Sequence, residues 1–202
     1  MEKFSTKKNA LIVFSRNPIL GKVKTRIAKS CGNKKALEIY KKLIQINEKT
    51  ISNFTEIKTF IFFDENIDNQ YYKNEIYKEK QEGNTLGEKM LNAFKLVKKK
   101  GYKNIIIIGN DCPYITSLIL KNAFEKLNKY DYVIGPTYDG GYYLLGMKKI
   151  NKNLFIEKEW STESVFEDTL KNIKKEDKKI FILEKLEDID YYENWTTFKN
   201  KN

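Results

Sequence analysis

Two aspartates stand beside apolar segments of the sequence and are the strongest candidates for chemistry. Asp111 follows a run of four isoleucines closely, and Asp139 follows another apolar segment and precedes a pair of glycines. Proteins commonly hold Mg²⁺ with one or two carboxylates and the phosphates of a substrate. Each residue has a structural alternative, since Asp111 could cap a helix and Asp139 could form a hairpin turn. We expect the two to act together, as metal ligands for Mg²⁺ or Mn²⁺ and as catalytic residues.

A cationic stretch follows the first apolar segment and could bind phosphate groups. Residues 15–26 combine lysines and arginines with one glycine and one proline. Gly21 lets the backbone approach an oxyanion closely, and Arg16 and Arg26 can each hold two phosphate oxygens. The stretch matches neither the dinucleotide-binding fingerprint nor the phosphate-loop motif. In so lysine-rich a chain, a solvated loop is an equally good interpretation.

The composition excludes several catalytic classes. The chain has no histidine, which excludes Ser-His-Asp and Cys-His catalysis and a histidine-ligated zinc. Cys31 and Cys112 form neither a disulfide framework nor a zinc spacing. The net charge of +11 comes mostly from scattered lysines, and aromatics interleaved with arginines are not apparent, so we do not expect nucleic acid as a partner.

Hydropathy predicts a protein without a membrane partner. The longest apolar runs, residues 10–14 and 105–108, are far shorter than the roughly 20 residues that span a bilayer. The first fifteen residues lack the longer apolar stretch and the cleavage site of a signal peptide. We therefore expect a cytoplasmic protein, and the sequence predicts no oligomeric state.

The elements that must position these residues alternate between β-rich and amphipathic segments. Strands are predicted at 9–15, 57–63, 104–109, 131–135, 141–147 and 179–183, with 104–109 in the centre of the sheet. Helices are predicted over 34–53, behind a capping box at Thr85 and Glu88, over 118–128, over 162–174 and near the C terminus. Residues 64–84 are predicted to form one short helix and a loop.

This order predicts one α/β domain over residues 1–202, with a mainly parallel, mixed sheet covered by helices. Ligands of such sheets bind beyond the carboxyl ends of the strands. Residues 15–26, 109–113 and 135–142 each follow a predicted strand, so they should meet at that edge of the sheet.

Five segments, in order, resemble a bacterial family of small transferases with a three-layer GT-A-like, nucleotide-diphospho-sugar transferase fold. This is the family of radical-SAM/selenodomain-associated transferases, or arsenosugar-type glycosyltransferases. A more distant similarity is to 2-phospholactate guanylyltransferase and the molybdenum-cofactor nucleotidyltransferases. The segments are FSRNPILGKVKTRIA (14–28), TLGEKM (85–90), IIGNDCP (107–113), GPTYDGGYYLLG (135–146) and WST (160–162).

The resemblance implies roles for individual residues. It assigns Lys24, Thr25 and Arg26 to the nucleotide phosphates, and Asp111 with Asp139 to the metal. For the WST segment, a core tryptophan and a helix N-cap are an equally good interpretation. The residues that the resemblance places at the donor or acceptor pocket are Gly140, Gly141, Tyr142, Trp160, Ser161 and Thr162.

The sequence departs from the family pattern at several places. Thr85 stands where aspartate is common, Lys89 where arginine is common, and Asn110 where serine is common. Residues 187–194 keep only part of an acidic segment near the C terminus. The departures leave the two aspartates in place and put the selectivity for the donor in doubt.

Three functions remain open from the sequence. The leading one is glycosyl transfer from a nucleotide diphosphate sugar to a small-molecule acceptor, with the metal stabilising the departing diphosphate. The second is transfer of a nucleoside monophosphate from a nucleoside triphosphate to a phosphorylated acceptor, which the cationic stretch fits slightly better. The third is a non-catalytic nucleotide-binding module.

Overall fold

The computed structural model describes residues 8–54, 57–73, 76–156 and 158–201. Its strands are β1 (Asn9–Ser15), β2 (Lys58–Phe63), β3 (Tyr77–Lys80), β4 (Asn104–Ile108), β5 (Tyr132–Pro136), β6 (Tyr142–Met147) and β7 (Ile180–Ile182). Its helices are α1 (Thr25–Ser52), α2 (Leu86–Lys99), α3 (Ser117–Lys129), α4 (Val165–Lys174) and α5 (Tyr192–Lys201), with a 3₁₀ turn at Lys152–Leu154.

The seven strands form one mixed, mostly parallel sheet in the order β3-β2-β1-β4-β6-β5-β7. β6 runs antiparallel to both of its neighbours, β4 and β5. The other neighbouring pairs are parallel. β4, which carries the four isoleucines, is the middle strand, as its apolar sequence predicts. The predicted α/β class and the mainly parallel sheet are confirmed.

Helices cover both faces of the sheet and make the three layers. Successive side chains of a strand point to opposite faces. Leu11 of β1 and Ile106 of β4 accordingly pack with residues of α1, α3 and α5. Ala10 of β1 and Ile107 of β4 pack on the other face with residues of α2 and α4. No helix in the described part of the chain has the length and apolar character needed to cross a membrane.

The first helix begins earlier than the sequence predicts. The predicted helix starts at residue 34, whereas α1 starts at Thr25 and is interrupted at Gly32, whose φ of 82° and ψ of 160° are not helical. The segment before this break buries Ile27. One buried residue leaves no apolar periodicity to detect, so the pattern search finds only the longer second part of the helix.

The prediction of a short helix in residues 64–84 is wrong for the residues that the structure describes. Apart from residues 74 and 75, which lie outside them, this segment forms loops and the edge strand β3. Tyr77 of β3 stacks on Phe60 of β2, with ring centroids 5.0 Å apart. Pairing with β2 therefore decides the structure of a segment whose local sequence is ambiguous.

The capping box of α2 is confirmed. The Thr85 side chain accepts a hydrogen bond from the Glu88 backbone N–H, with 3.2 Å between the heavy atoms. Glu88 Oε2 in turn accepts from the backbone N–H of Asn84 at 2.7 Å. The helix N-cap interpretation of the WST segment is wrong, because α4 begins at Val165 with Ser164 as its N-cap residue.

Candidate active site

The strand register brings the candidate segments to one edge of the sheet. Val13 of β1 pairs with Ile108 of β4, and Ser15 pairs with Phe63 of β2, so these parallel strands end at a similar level. β6 begins at that same level, since its Leu144 pairs with Ile108. The loops after β1, β4 and β5 thus meet where open α/β sheets bind their ligands.

A buried lysine from the cationic loop lies among carboxylates at this edge. Lys24 Nζ is 2.6 Å from Asp111 Oδ1 and 3.2 Å from Asp190 Oδ1. The Lys24 side chain is only 6% exposed. Burial disfavours its charge, but Asp111 and Asp190 outweigh that cost and raise the pKa of Lys24. The ammonium ion is therefore the buried positive charge of this carboxylate cluster.

Asp188 is a third carboxylate of this cluster, and its contacts offset the cost of its burial poorly. Its Oδ1 atom is buried and has no hydrogen-bond partner among the described residues. Burial raises the pKa of Asp188 to about 8, the Asp111 carboxylate adds to this rise, and Lys24 opposes it. A buried carboxyl with an unused oxygen is costly for folding alone, and such groups concentrate at functional sites.

The C-terminal loop delivers Asp188 and Asp190 to the cluster. Ile189, which lies between them, is fully buried in the core, and its backbone N–H donates to the Asp111 carbonyl at 2.9 Å. Sequence reasoning noticed an acidic segment here but assigned it no role. The signal was the pair of aspartates that flank Ile189, a few residues beyond a predicted strand.

Asp139 is held by its own turn. Its Oδ1 accepts hydrogen bonds from the Thr137 hydroxyl at 2.5 Å and from the Gly141 backbone N–H at 3.1 Å. This is the turn-forming role that the sequence left open. Asp139 also contributes to the raised pKa of Asp188, so it lies in the electrostatic reach of the cluster. The structure shows no ion pair between Asp139 and Lys24 among the described residues.

The other predicted phosphate-binding residues of the cationic loop are exposed, and they differ in their contacts. Arg26 Nη1 donates to Asp190 Oδ2 at 3.0 Å, and its side chain stays 53% exposed. Gly21 is exposed and has a φ of 79°, which favours glycine. Arg16 is exposed, and its backbone N–H donates to the Tyr40 hydroxyl at 2.8 Å. Thr25 is the exposed first residue of α1.

Asn110 positions the backbone that carries Asp111. Its Nδ2 donates to the Ser15 hydroxyl at 2.8 Å, and its Oδ1 accepts from the Tyr72 hydroxyl at 2.9 Å. The Tyr72 hydroxyl is also 3.2 Å from Asn47 Oδ1 of α1. These buried hydrogen bonds tie the end of β4 to β1 and α1, so the asparagine that departs from the family pattern has a structural use.

The segment around Trp160 packs against the turn of Asp139. A Cβ atom at Gly140 would lie 2.1 Å from the Glu163 carbonyl oxygen, and the Phe166 N–H donates to the Gly140 carbonyl at 2.9 Å. Trp160 is half-buried and meets Tyr142 edge-on, with ring centroids 6.4 Å apart.

The remaining predicted pocket residues lie around this contact. The Tyr142 hydroxyl is buried and has no hydrogen-bond partner in the described structure. Ser161 is exposed with a φ of 66°. The Thr162 hydroxyl donates to the Glu159 carbonyl at 3.1 Å. Gly141 provides the backbone N–H that Asp139 accepts. These residues therefore adjoin the Asp139 turn, while Lys24, Arg26 and Asp111 belong to the carboxylate cluster.

The donor atoms of the cluster suit a hard divalent cation. They are carboxylate oxygens, which Mg²⁺ and Mn²⁺ prefer, and Asp188 offers one that has no other partner. As the side chains stand, no three His, Cys, Asp or Glu groups within residues 8–54, 57–73, 76–156 and 158–201 are arranged to hold a metal ion. The Lys24 ammonium ion lies in ion-pair contact with two of the carboxylates, those of Asp111 and Asp190.

Solved structures with the same fold include one described as a transferase, one as a synthase and one as a synthetase. A candidate nucleotide-diphospho-sugar transferase from Desulfovibrio desulfuricans G20 matches with a TM-score of 0.89 and 26% identity, over 96% of this chain and 88% of that one. The 4-diphosphocytidyl-2C-methyl-D-erythritol synthase of Anaerococcus prevotii matches with a TM-score of 0.57 and 13% identity, over 90% of this chain and 88% of that one. A CMP:2-keto-3-deoxy-manno-octonic acid synthetase complexed with CTP matches with a TM-score of 0.60 and 8% identity, over 96% of this chain and 98% of that one.

A family assignment comes from the sequence itself. No functionally curated protein matches the chain. Residues 49–162, which are more than half of the chain, match a bacterial protein family and include the Asp111 and Asp139 segments. The chain belongs to the family described as uncharacterized protein conserved in bacteria (DUF2064).

Proposed function

We propose that this protein is a metal-dependent glycosyltransferase that uses a nucleotide diphosphate sugar as donor and a small molecule as acceptor. The observation that carries the proposal is the cluster of Lys24, Asp111, Asp188 and Asp190 at the carboxyl edge of the sheet. The name of the Desulfovibrio structure supports the same donor class. The resemblance to arsenosugar-type glycosyltransferases belongs to this proposal as well.

The proposal assigns the residues of the site to metal binding and to phosphate binding. Asp111, with Asp188 and Asp190 from the C-terminal loop, would hold Mg²⁺ or Mn²⁺. Such an ion, when bound, would neutralise charge that develops on the departing diphosphate. Lys24 and the exposed Arg16 would bind the phosphate oxygens, since both can reach the same edge of the sheet. Asp139, which the resemblance implies as the second metal ligand, keeps that proposed role through Oδ2, since the hydrogen bonds of its turn go to Oδ1. It would also border the acceptor.

The residues around the Asp139 turn would border the acceptor. Tyr142 and Trp160 meet edge-on and would provide an aromatic surface for it. Gly140 packs against Glu163, Gly141 donates to Asp139, and Ser161 and Thr162 directly follow Trp160. The acceptor would thus lie beside Asp139.

Nucleotidyl transfer is the second candidate. The cationic loop favours it, because a triphosphate has more charge to neutralise than a diphosphate sugar. Fold neighbours described as a cytidylyltransferase and as a synthetase complexed with CTP are compatible with it. In this reaction a phosphate of the acceptor attacks the α-phosphate, and pyrophosphate leaves.

A thermal-shift panel of nucleotide sugars and nucleoside triphosphates, each with and without Mg²⁺ or Mn²⁺, tests the proposal. A ligand at a hundredfold excess over its dissociation constant stabilises the native state by about 2.7 kcal/mol. We expect one nucleotide diphosphate sugar to give such a shift only with metal. The shift should shrink strongly in Asp111→Asn, which keeps the shape of the side chain and removes its charge.

The matched control is Asp177→Asn. Asp177 is exposed, precedes β7 at the opposite edge of the sheet, and has a φ of 51° that asparagine tolerates. Its variant should keep the full ligand shift. A shift only with a triphosphate would select nucleotidyl transfer, and no shift with any nucleotide would rule out both reactions.

A further inference from the structure

Lys24 occupies a position that is unfavourable for a lysine in several respects. Its backbone is left-handed, with φ 48° and ψ 46°, which costs about 1–2 kcal/mol for a residue with a Cβ atom. It stands at the N-cap of α1, where the helix dipole disfavours a cation. It is also almost completely buried. The carboxylates around its ammonium ion are what compensates these costs.

The ammonium ion takes the place between carboxylates that a divalent cation would need. It contacts Asp111 at 2.6 Å and Asp190 at 3.2 Å, and the charge of Asp188 acts on it as well. No three His, Cys, Asp or Glu groups of the described residues stand ready to hold a metal ion, so the carboxylates would have to rearrange to bind one. Three carboxylates carry a charge of about −3 when ionised. A lysine and a divalent ion held between the same oxygens would repel each other at short range.

We infer that Lys24 is an internal competitor of the divalent cation, so that the metal binds well only after the phosphates of a nucleotide have drawn Lys24 away from Asp111 and Asp190. The inference rests on the proposed function for the identity of the ligand. The long lysine side chain can exchange carboxylate oxygens for phosphate oxygens while its backbone stays in place. Asp111 and Asp190, once Lys24 has left them, would be free to hold the metal.

The competition makes metal and nucleotide binding cooperative. If the nucleotide raises the affinity for the metal by some factor, the metal must raise the affinity for the nucleotide by the same factor. Without nucleotide, the cluster stays closed by Lys24 and avoids the repulsion of its carboxylates. The device would keep the protein from holding a metal ion, and from activating water with it, before a donor is present.

Mn²⁺ binding to the protein without nucleotide, measured by electron paramagnetic resonance, tests the competition. Lys24→Met removes the ammonium ion and keeps a long side chain. We expect this variant to bind Mn²⁺ at least about tenfold more tightly than the wild type, which corresponds to about 1.4 kcal/mol. The control is Lys22→Met, two residues away, which removes the same charge from an exposed ion pair with Glu65. It should bind Mn²⁺ like the wild type.

A second measurement uses the wild-type chain in case Lys24→Met does not fold. Acylation of lysine amines, read by mass spectrometry, should be slow at Lys24 in the free protein and faster when Mn²⁺ saturates it. The rate at Lys22 should not change. Equal Mn²⁺ affinity of Lys24→Met and wild type, or a Lys24 amine that stays protected at saturating Mn²⁺, would overturn the inference.

These outcomes are separate from those of the proposed function. The Mn²⁺ measurements contain no nucleotide, so tighter binding by Lys24→Met would support the competition whichever group the protein transfers. A nucleotide-sugar shift together with unchanged Mn²⁺ affinity in Lys24→Met would support glycosyl transfer and reject the competition.

Discussion

Asp188 illustrates how one residue can serve a site at the expense of stability. Its raised pKa of about 8 means that the folded protein prefers the neutral carboxyl, whereas the unfolded chain ionises it near pH 4. The stability that the neutral form confers is therefore complete below about pH 4 and is lost as the pH rises toward 8. Because the ionised carboxylate destabilises the folded protein, its presence points to a role in binding a ligand.

We predict that Asp188→Asn stabilises the metal-free protein, by about 1–3 kcal/mol at pH 8. The gain should be smaller at pH 5, because the wild-type carboxyl is then still protonated in the folded state. Urea unfolding at the two pH values in the presence of a chelator measures it. The exposed Asp177→Asn should show no such change with pH, and a gain for Asp188→Asn that is independent of pH would contradict the assignment.

Among the elements of the fold, the turn that carries Asp139 and the segment around Trp160 pack unusually closely at Gly140. Gly140 has a φ of 86°, and a Cβ atom there would lie 2.1 Å from the Glu163 carbonyl oxygen. The turn that carries Asp139 and the Trp160 segment can approach each other only because residue 140 is glycine. A glycine in this sequence thus sets the distance between two parts of the candidate pocket.

We predict that Gly140→Ala destabilises the protein by about 2–4 kcal/mol, because it combines left-handed backbone strain with overpacking. Gly101→Ala provides the control, since Gly101 has a φ of 97° and open space around its Cβ position. It should cost only the backbone part, about 1 kcal/mol. Chemical unfolding of both variants gives the difference, and equal losses would show that the contact with Glu163 is unimportant.

At the scale of the whole molecule, four loops from distant parts of the chain form one site. They follow β1, β4, β5 and β7, and strand register and the buried Ile189 bring them together. The opposite edge of the sheet, where Gly101 and Asp177 lie, has no part in it. A ligand at the site should therefore act on all four loops at once.

We predict that nucleotide with metal slows amide hydrogen exchange in residues 16–24, 109–112, 137–141 and 186–190 together, by up to about a hundredfold at a hundredfold excess of ligand. Amides of β3 and of residues 100–103 should exchange at unchanged rates. Mass spectrometry of exchanged peptides measures this pattern. Protection of the first three segments without 186–190 would remove the C-terminal loop from the site.

The fold class, most strands, the capping box of α2 and the convergence of the segments after β1, β4 and β5 are all predictable from the sequence. These features follow from local patterns, because strand alternation and helix periodicity depend on residues that are close together in the sequence. The same patterns missed the start of α1 and the edge strand β3, where burial is slight and pairing with β2 decides the conformation.

Which side chains share the site depends on contacts between distant parts of the chain, and these are visible in the folded structure alone. Asp188 and Asp190 are 164 and 166 residues from Lys24 in the sequence, and a backbone hydrogen bond from Ile189 to Asp111 places them beside it. No local pattern records such a contact. The structure also placed one oxygen of Asp139 in its own turn, and it closed the carboxylate cluster around Lys24. Charges that are distant in sequence compete for partners only once the fold has brought them together.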